Sequence, residues 1–168
     1  DFQARNVMLR DGKPYFIDFQ GGRKGPIYYD VASFLWQSSA CYSDSLREQL
    51  IDTYLESLGR YVSVTREEFV GKLHLFVLFR LLQVLGAYGF RGLWEKKTYF
   101  VNSIPSALAN LKTEIERGVC DAYPYIKEVC CMLISKMIPT DAKADSKVSR
   151  YLSGDSSYLG KSDKPLVV

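Results

Sequence analysis

With 168 residues, 47% of them hydrophobic and 24% charged, the chain has enough apolar material for one sizeable core and is not a disordered sequence. Its net charge of +3 is small, and Lys and Arg alternate with Asp and Glu, so charge argues for neither a nucleic-acid nor a membrane surface. The cysteines Cys41, Cys120, Cys130 and Cys131 and the lone His74 lack the spacing of a tetrahedral metal site and read as reduced, mostly buried thiols and a satisfied core histidine.

In chain order, the opening stretch "DFQARNVMLRDGKPYFIDFQGG" contains two apolar runs joined by Asp11-Gly12, a strong hairpin signal. It predicts strands over 7–10 and 14–17. The Gly/Pro-rich "QGGRKGP" that follows reads as a loop, in which Gly21, Gly22 and Gly25 form either a plain turn or a backbone cradle for phosphate. A helix begins at "YDVASFLWQSSA", with Tyr28, Tyr29 and Trp36 expected in the core. Ser43 then caps a helix carrying Leu46, Leu50, Tyr54 and Leu58 at a spacing of four, which predicts its apolar face.

Thr65 and Glu68 form a capping box at the head of "FVGKLHLFVLFRLLQVLGAYGF", which is apolar nearly all round and reads as the central helix. Lys72, His74, Arg80 and Gln83 interrupt it, so no uncharged span of about 20 residues is present and no membrane crossing is expected. "KTYFVNSIPSALANLKTEIERG" is helical with a break expected at Pro105, and "YPYIKEVCCMLISKM" makes a last helix ending near Pro139. The fold class is mainly α with a small β-hairpin. After Pro139 the composition turns polar and small, predicting a linker over 139–164 and the start of a possible further domain at 165–168.

The chemistry concentrates at the start. Asp1 and Asn6 stand as D-x-x-x-x-N before the hairpin, and its second strand ends in Asp18-Phe19. Phosphoryl transfer asks for an acceptor hydroxyl held and deprotonated, which a carboxylate can do, and for metal ions on the nucleotide phosphates. An amide oxygen and a second carboxylate suit Mg2+, which takes hard oxygen ligands.

This order, Asp, four residues, Asn, hairpin, Asp-Phe, resembles the catalytic loop and metal-binding Asp of the protein-kinase-like superfamily. The following "GPIYYDVASFLW" resembles its aminoglycoside and choline phosphotransferase family. "LLQVLGAYGFRGL" and "YFVNSIPSALANL" are similar to the bacterial branch of cell-wall amino-sugar kinases acting on N-acetylmuramate and N-acetylglucosamine.

The resemblance implies that residues 1–138 are the C-terminal lobe of an aminoglycoside phosphotransferase fold. It makes Asp1 the catalytic base, Asn6 and Asp18 the Mg2+ ligands beside ATP, and Asp30 a buried structural acid. Arg5, Gln20 and Arg23 are candidate substrate contacts, although the two arginines read equally well as solvated. Gln20 stands where a protein kinase has the Gly of Asp-Phe-Gly.

Only 11 residues separate Asp18 from Asp30, too few for a peptide-docking activation segment, so a small hydroxyl acceptor is expected, an amino sugar favoured. Neither a Gly-rich nucleotide loop nor an upstream Lys is present, which predicts that the N-terminal lobe lies elsewhere in a longer parent chain, and with no signal peptide and no uncharged membrane-length span the enzyme is expected to be cytoplasmic. The piece alone is then expected to be inactive. The rival expectation is a pseudokinase-like module that binds nucleotide or a partner and regulates a downstream domain.

Overall fold

The computed structural model describes residues 2–19 and 22–137. The predicted linker at 139–164 and the residues after it lie outside the described residues, as do Asp1 and Gln20. Strands β1 (Val7–Arg10) and β2 (Lys13–Phe16) pair antiparallel with Val7 opposite Phe16 and Arg10 opposite Lys13. The two-residue connection has Asp11 at φ 52° and Gly12 at φ 73°. Both are left-handed, as a tight hairpin turn matching the strand twist demands. The second strand therefore begins at Lys13, one residue before the 14–17 expected.

Five helices follow: α1 (Tyr29–Leu35), α2 (Asp44–Leu58), α3 (Arg66–Tyr88), α4 (Thr98–Glu116) and α5 (Pro124–Met137). The Ser43 hydroxyl accepts the Leu46 N–H at the head of α2, and the Thr65–Glu68 capping box closes in both directions at the head of α3. These caps satisfy backbone N–H groups that a helix start leaves orphaned.

Helix α3 is central. It buries Phe69, Leu73, Val77 and Leu81 against α1 on one side and α4 on the other, each such side chain contributing roughly 1.5–3 kcal/mol. Tyr28 sits between Phe69 and Phe76 with ring centroids 5.0 and 5.1 Å away. By length and composition Arg66–Trp94 is apolar enough to cross a membrane, an 18-residue window within it having a mean hydropathy of 1.6 with 33% of that window buried. Packing against α1 and α4 accounts for the buried part. One strip of α3, Leu75 and Phe79, is exposed, so it is not apolar-buried all round.

In α2 the expected residues Leu50, Tyr54 and Leu58 pack against the core beside the fully buried Ile51, while Leu46 is exposed. Another expectation is corrected. Pro105 does not break α4, which runs unbroken from Thr98 to Glu116. The buried face Ile104, Ala107, Leu108 and Leu111 packs on α3 and outweighs the loss of one backbone hydrogen bond. Of the four thiols only Cys120 and Cys130 are buried, Cys41 being half-buried and Cys131 exposed.

Polar groups stitch the helices together. His74 on α3 meets Glu114 on α4 with Nδ1 2.7 Å from Oε2, and the Trp36 ring lies edge-on to the imidazole at 5.5 Å. His74 is thus the satisfied core histidine expected. Glu114 is fully buried, and the neighbouring charge of Arg117, 4.0 Å from its other oxygen, offsets part of the desolvation of the carboxylate. Arg47 on α2 donates from Nε to the Leu35 carbonyl at 3.1 Å while its guanidinium lies 5.0 Å from the Trp36 ring centre. Between α3 and α4 a π-helical turn, Gly89–Trp94, needs Gly92, since a Cβ there would stand 3.0 Å from the Val101 side chain.

Candidate functional site

The last three residues of the D-x-x-x-x-N segment, Ala4–Asn6, form a single 3-10 turn directly before β1. The Asn6 N–H donates to the Gln3 carbonyl at 2.9 Å, and the Asn6 carbonyl accepts the Ile17 N–H at 2.9 Å. That second bond extends the hairpin ladder by one step, and Ile17 immediately precedes Asp18. Asn6 and Asp18, twelve positions apart in sequence, are therefore held at the same open end of the hairpin. Asn6 is buried and Asp18 is exposed.

Asp18 has φ 60°. A non-Gly residue in the left-handed region is uncommon, costs of the order of 1 kcal/mol, and tends to mark sites where a side chain must be aimed away from the regular strand direction. Asp is among the residues that tolerate it best. Nothing in the sequence pattern signalled this conformation, although the Asp-Phe pair at a strand end is where it would be sought. Phe19, next in the chain, is almost wholly exposed.

The turn is gripped from the helical body. The Gln37 side chain, just beyond α1, accepts the Ala4 N–H at 2.9 Å. The Phe2 ring stacks on Phe34 of α1 at 4.9 Å and leans on Phe16 of β2 at 5.7 Å. Gln37 escaped the sequence reading because it lies 33 positions from its partner, with no local pattern linking the two.

Arg5 is exposed in the turn, on the side of Tyr88. Burial pushes the Tyr88 phenol up, opposed by the Ser38 hydroxyl and by the positive charges of Arg80 and Arg5. Arg80 ties α3 to α1 by donating to the Tyr29 hydroxyl at 2.8 Å and to the Ser33 hydroxyl at 2.9 Å. Beneath the turn lies a cavity of about 50 Å3 lined by Gln3, Ser33, Gln37, Ser38, Arg80 and Tyr88. Arg80 Nε, buried and with no partner in hydrogen-bonding geometry among the described residues, belongs to this lining, and the cavity has room for a water that would satisfy it.

Arg23 is exposed in the loop between β2 and α1. Asp30 is a correction: it is exposed, not buried. It occupies the first turn of α1, where a carboxylate is favoured by the helix dipole, and the buried face of that helix is taken by Val31, Ala32, Ser33 and Leu35. Its charge is felt by the Tyr54 phenol, which burial and Asp30 together push up.

Among the described residues, no three His, Cys, Asp or Glu side chains come together. The amide oxygen of Asn6 and the carboxylate of Asp18 are hard donors of the kind Mg2+ takes.

Residues 1–66, which contain every one of these groups up to Asp30, match the model of the phosphotransferase enzyme family. The chain is 30% identical over 115 residues to an N-acetylmuramate/N-acetylglucosamine kinase of Neisseria meningitidis serogroup B, a match covering 67% of this chain and 34% of that protein. It is 23% identical over 120 residues to a protein of the same name from Pseudomonas aeruginosa, covering 70% of this chain and 36% of that one. The chain spans about a third of the length of the curated relatives it matches. No solved structure matches it.

Proposed function

We propose, from the membership of residues 1–66 in the phosphotransferase enzyme family, that this chain carries the catalytic segment of an ATP- and Mg2+-dependent small-molecule kinase. The observation that carries the reading is the Asn6–Ile17 backbone bond, which brings the Asn6 and Asp18 positions to one end of the hairpin with Asp18 in the left-handed conformation. The ladder bond is ordinary hairpin geometry; the left-handed Asp18 is the feature that a strand simply continuing past Ile17 would not need.

Asp1, five positions before Asn6, takes the proton of the acceptor hydroxyl. The freed oxygen forms a bond to the γ-phosphorus as the bond between that phosphorus and the β,γ-bridging oxygen breaks, and ADP leaves. Asn6 and Asp18 would hold Mg2+, which when bound neutralises charge on the phosphates. The backbone of Asn6 is fixed by hydrogen bonds at both its N–H and its carbonyl, a firm base for a side chain that must be held in place. Arg5, in the turn before β1, and Arg23, in the loop after β2, are exposed, and guanidinium groups suit an acidic or phosphorylated group on a substrate.

An amino-sugar hydroxyl is the acceptor favoured by the relatives' names. The free thiols fit a reducing, cytoplasmic setting, where ATP is also supplied. Because the chain spans a third of those relatives, the activity proposed is that of the full-length protein, with the remaining nucleotide contacts made outside these residues.

The test is ATP-dependent transfer by the full-length protein to N-acetylmuramate, N-acetylglucosamine, simple hexoses, choline and an aminoglycoside, with Asp1→Asn alongside. Transfer to one acceptor, lost in the variant, is expected. Transfer that survives Asp1→Asn would overturn the role of Asp1, and no transfer to any acceptor despite Mg-ATP binding would favour a regulatory nucleotide-binding module.

A further inference from the structure

We infer that Gln37 is the positioning residue of the catalytic turn, a remote cap that holds Asn6, and through it Asp18, in register with the helical body. The inference rests on the phosphotransfer reading for its consequence, but not for its geometry. A helical turn leaves its first N–H groups without partners inside the turn, and the residue before it usually supplies a side-chain cap. Gln3, at that position, makes no such capping bond. The orphan N–H of Ala4 is instead taken by Gln37 Oε1 at 2.9 Å, from the far side of the loop that follows the hairpin.

The amide is held the right way round. Gln37 Nε2 donates to the Ser39 hydroxyl at 2.8 Å, so the oxygen is the end left to face Ala4, and a flipped amide would set N–H against N–H. Gln37 itself stands on a firm base. It follows the buried Leu35 and Trp36, and its carbonyl accepts the Ala40 N–H at 3.0 Å in the turn that ends α1.

From Gln37 the hold passes along covalent chain and backbone bonds alone. Ala4 begins the turn that Asn6 ends, the Asn6 carbonyl takes the Ile17 N–H, and Ile17 precedes Asp18. The hairpin has little core of its own, its strand residues Met8, Leu9, Tyr15 and Phe16 all being exposed. Its placement relative to α1 thus depends on a polar grip at Ala4 and an apolar one at Phe2, which stacks on Phe34 three residues before Gln37. Loss of the polar grip lets the turn shift while the body stays folded, and a misplacement of about 1 Å in a catalytic group can cost on the order of 10²-fold in rate.

Two substitutions in the full-length protein test this. Gln37→Leu keeps the size and removes the acceptor; Gln37→Glu keeps an oxygen for the Ala4 N–H, with the Ser39 hydroxyl turning to donate. In Gln37→Leu we expect kcat to fall at least about tenfold, with KM for ATP and acceptor changed less than about twofold and the melting temperature nearly unchanged. The Ala4 amide should exchange with solvent about tenfold faster. Gln37→Glu should restore both rate and exchange to near the wild-type values.

An unchanged Ala4 exchange rate in Gln37→Leu, or an unchanged kcat where the wild type turns over, overturns the inference, as does equal damage in Gln37→Glu. A wild type that transfers no phosphate overturns the functional reading instead, and the exchange rates of the three proteins then decide by themselves whether Gln37 caps the turn.

Discussion

The hairpin end and the helical body obey different rules. In the body, α1 and α4 bury Ala32, Leu35, Ala107, Leu108 and Leu111 against α3, and buried polar groups such as His74 and Glu114 find each other across helices. In the segment from Phe2 to Phe19 the side chains are mostly exposed, a left-handed Asp18 sits where a strand would ordinarily continue, and placement relies on a few specific grips. The body supplies stability, and the hairpin end contributes little buried surface of its own. Under the proposed function this would be a rigid scaffold carrying a lightly packed reactive loop.

The largest effect that separates the two regions should come from the body. Phe69 is fully buried, with ring centroids 5.0 Å from Tyr28 and 5.5 Å from Tyr54. Phe69→Ala should cost about 3–5 kcal/mol in a denaturant titration, because the cavity cannot close around two rings anchored elsewhere. A loss below about 1 kcal/mol would mean that α3 is not the centre of the core.

A smaller contrast lies within α5. Burial, chiefly, with the nearby Cys120 thiol adding to it, pushes the Cys130 thiol up from an ordinary 9.0 to about 11, while its exposed neighbour Cys131 faces solvent. The folded state therefore holds the Cys130 proton more tightly than the unfolded state does. Its contribution to stability is fully present below about pH 9 and is lost as pH rises toward 11. Alkylation at pH 8.5 should mark Cys131 and spare Cys130 until the protein is unfolded; equal labelling of the two in the folded protein would show α5 packed otherwise than described.

Local chemistry was legible in the sequence and long-range geometry was not. Asp11-Gly12 declared its turn because only residues at ease with positive φ fit it, and Thr65 with Glu68 declared a helix start because the two bonds close within one turn. That Asn6 and Asp18 come to one end of the hairpin was readable because strand pairing follows from the turn. Pro105 was misread because its local cost is outweighed by a packed face that only the tertiary structure supplies. Asp30 was misread because whether a first-turn acid faces the core depends on how α1 rolls against α3. Gln37 was invisible for a similar reason, its partner being fixed by where two distant turns meet.

The most direct measurement compares acceptor-dependent ADP formation by the full-length protein and its Asp18→Asn variant, with melting temperatures of both. Asn keeps the size of Asp and its tolerance of φ near 60°, and the position is exposed, so the fold should be untouched. The account predicts turnover reduced on the order of 10²-fold or more at an unchanged melting temperature. Turnover equal to that of the wild type, in a variant that folds as well, would contradict it.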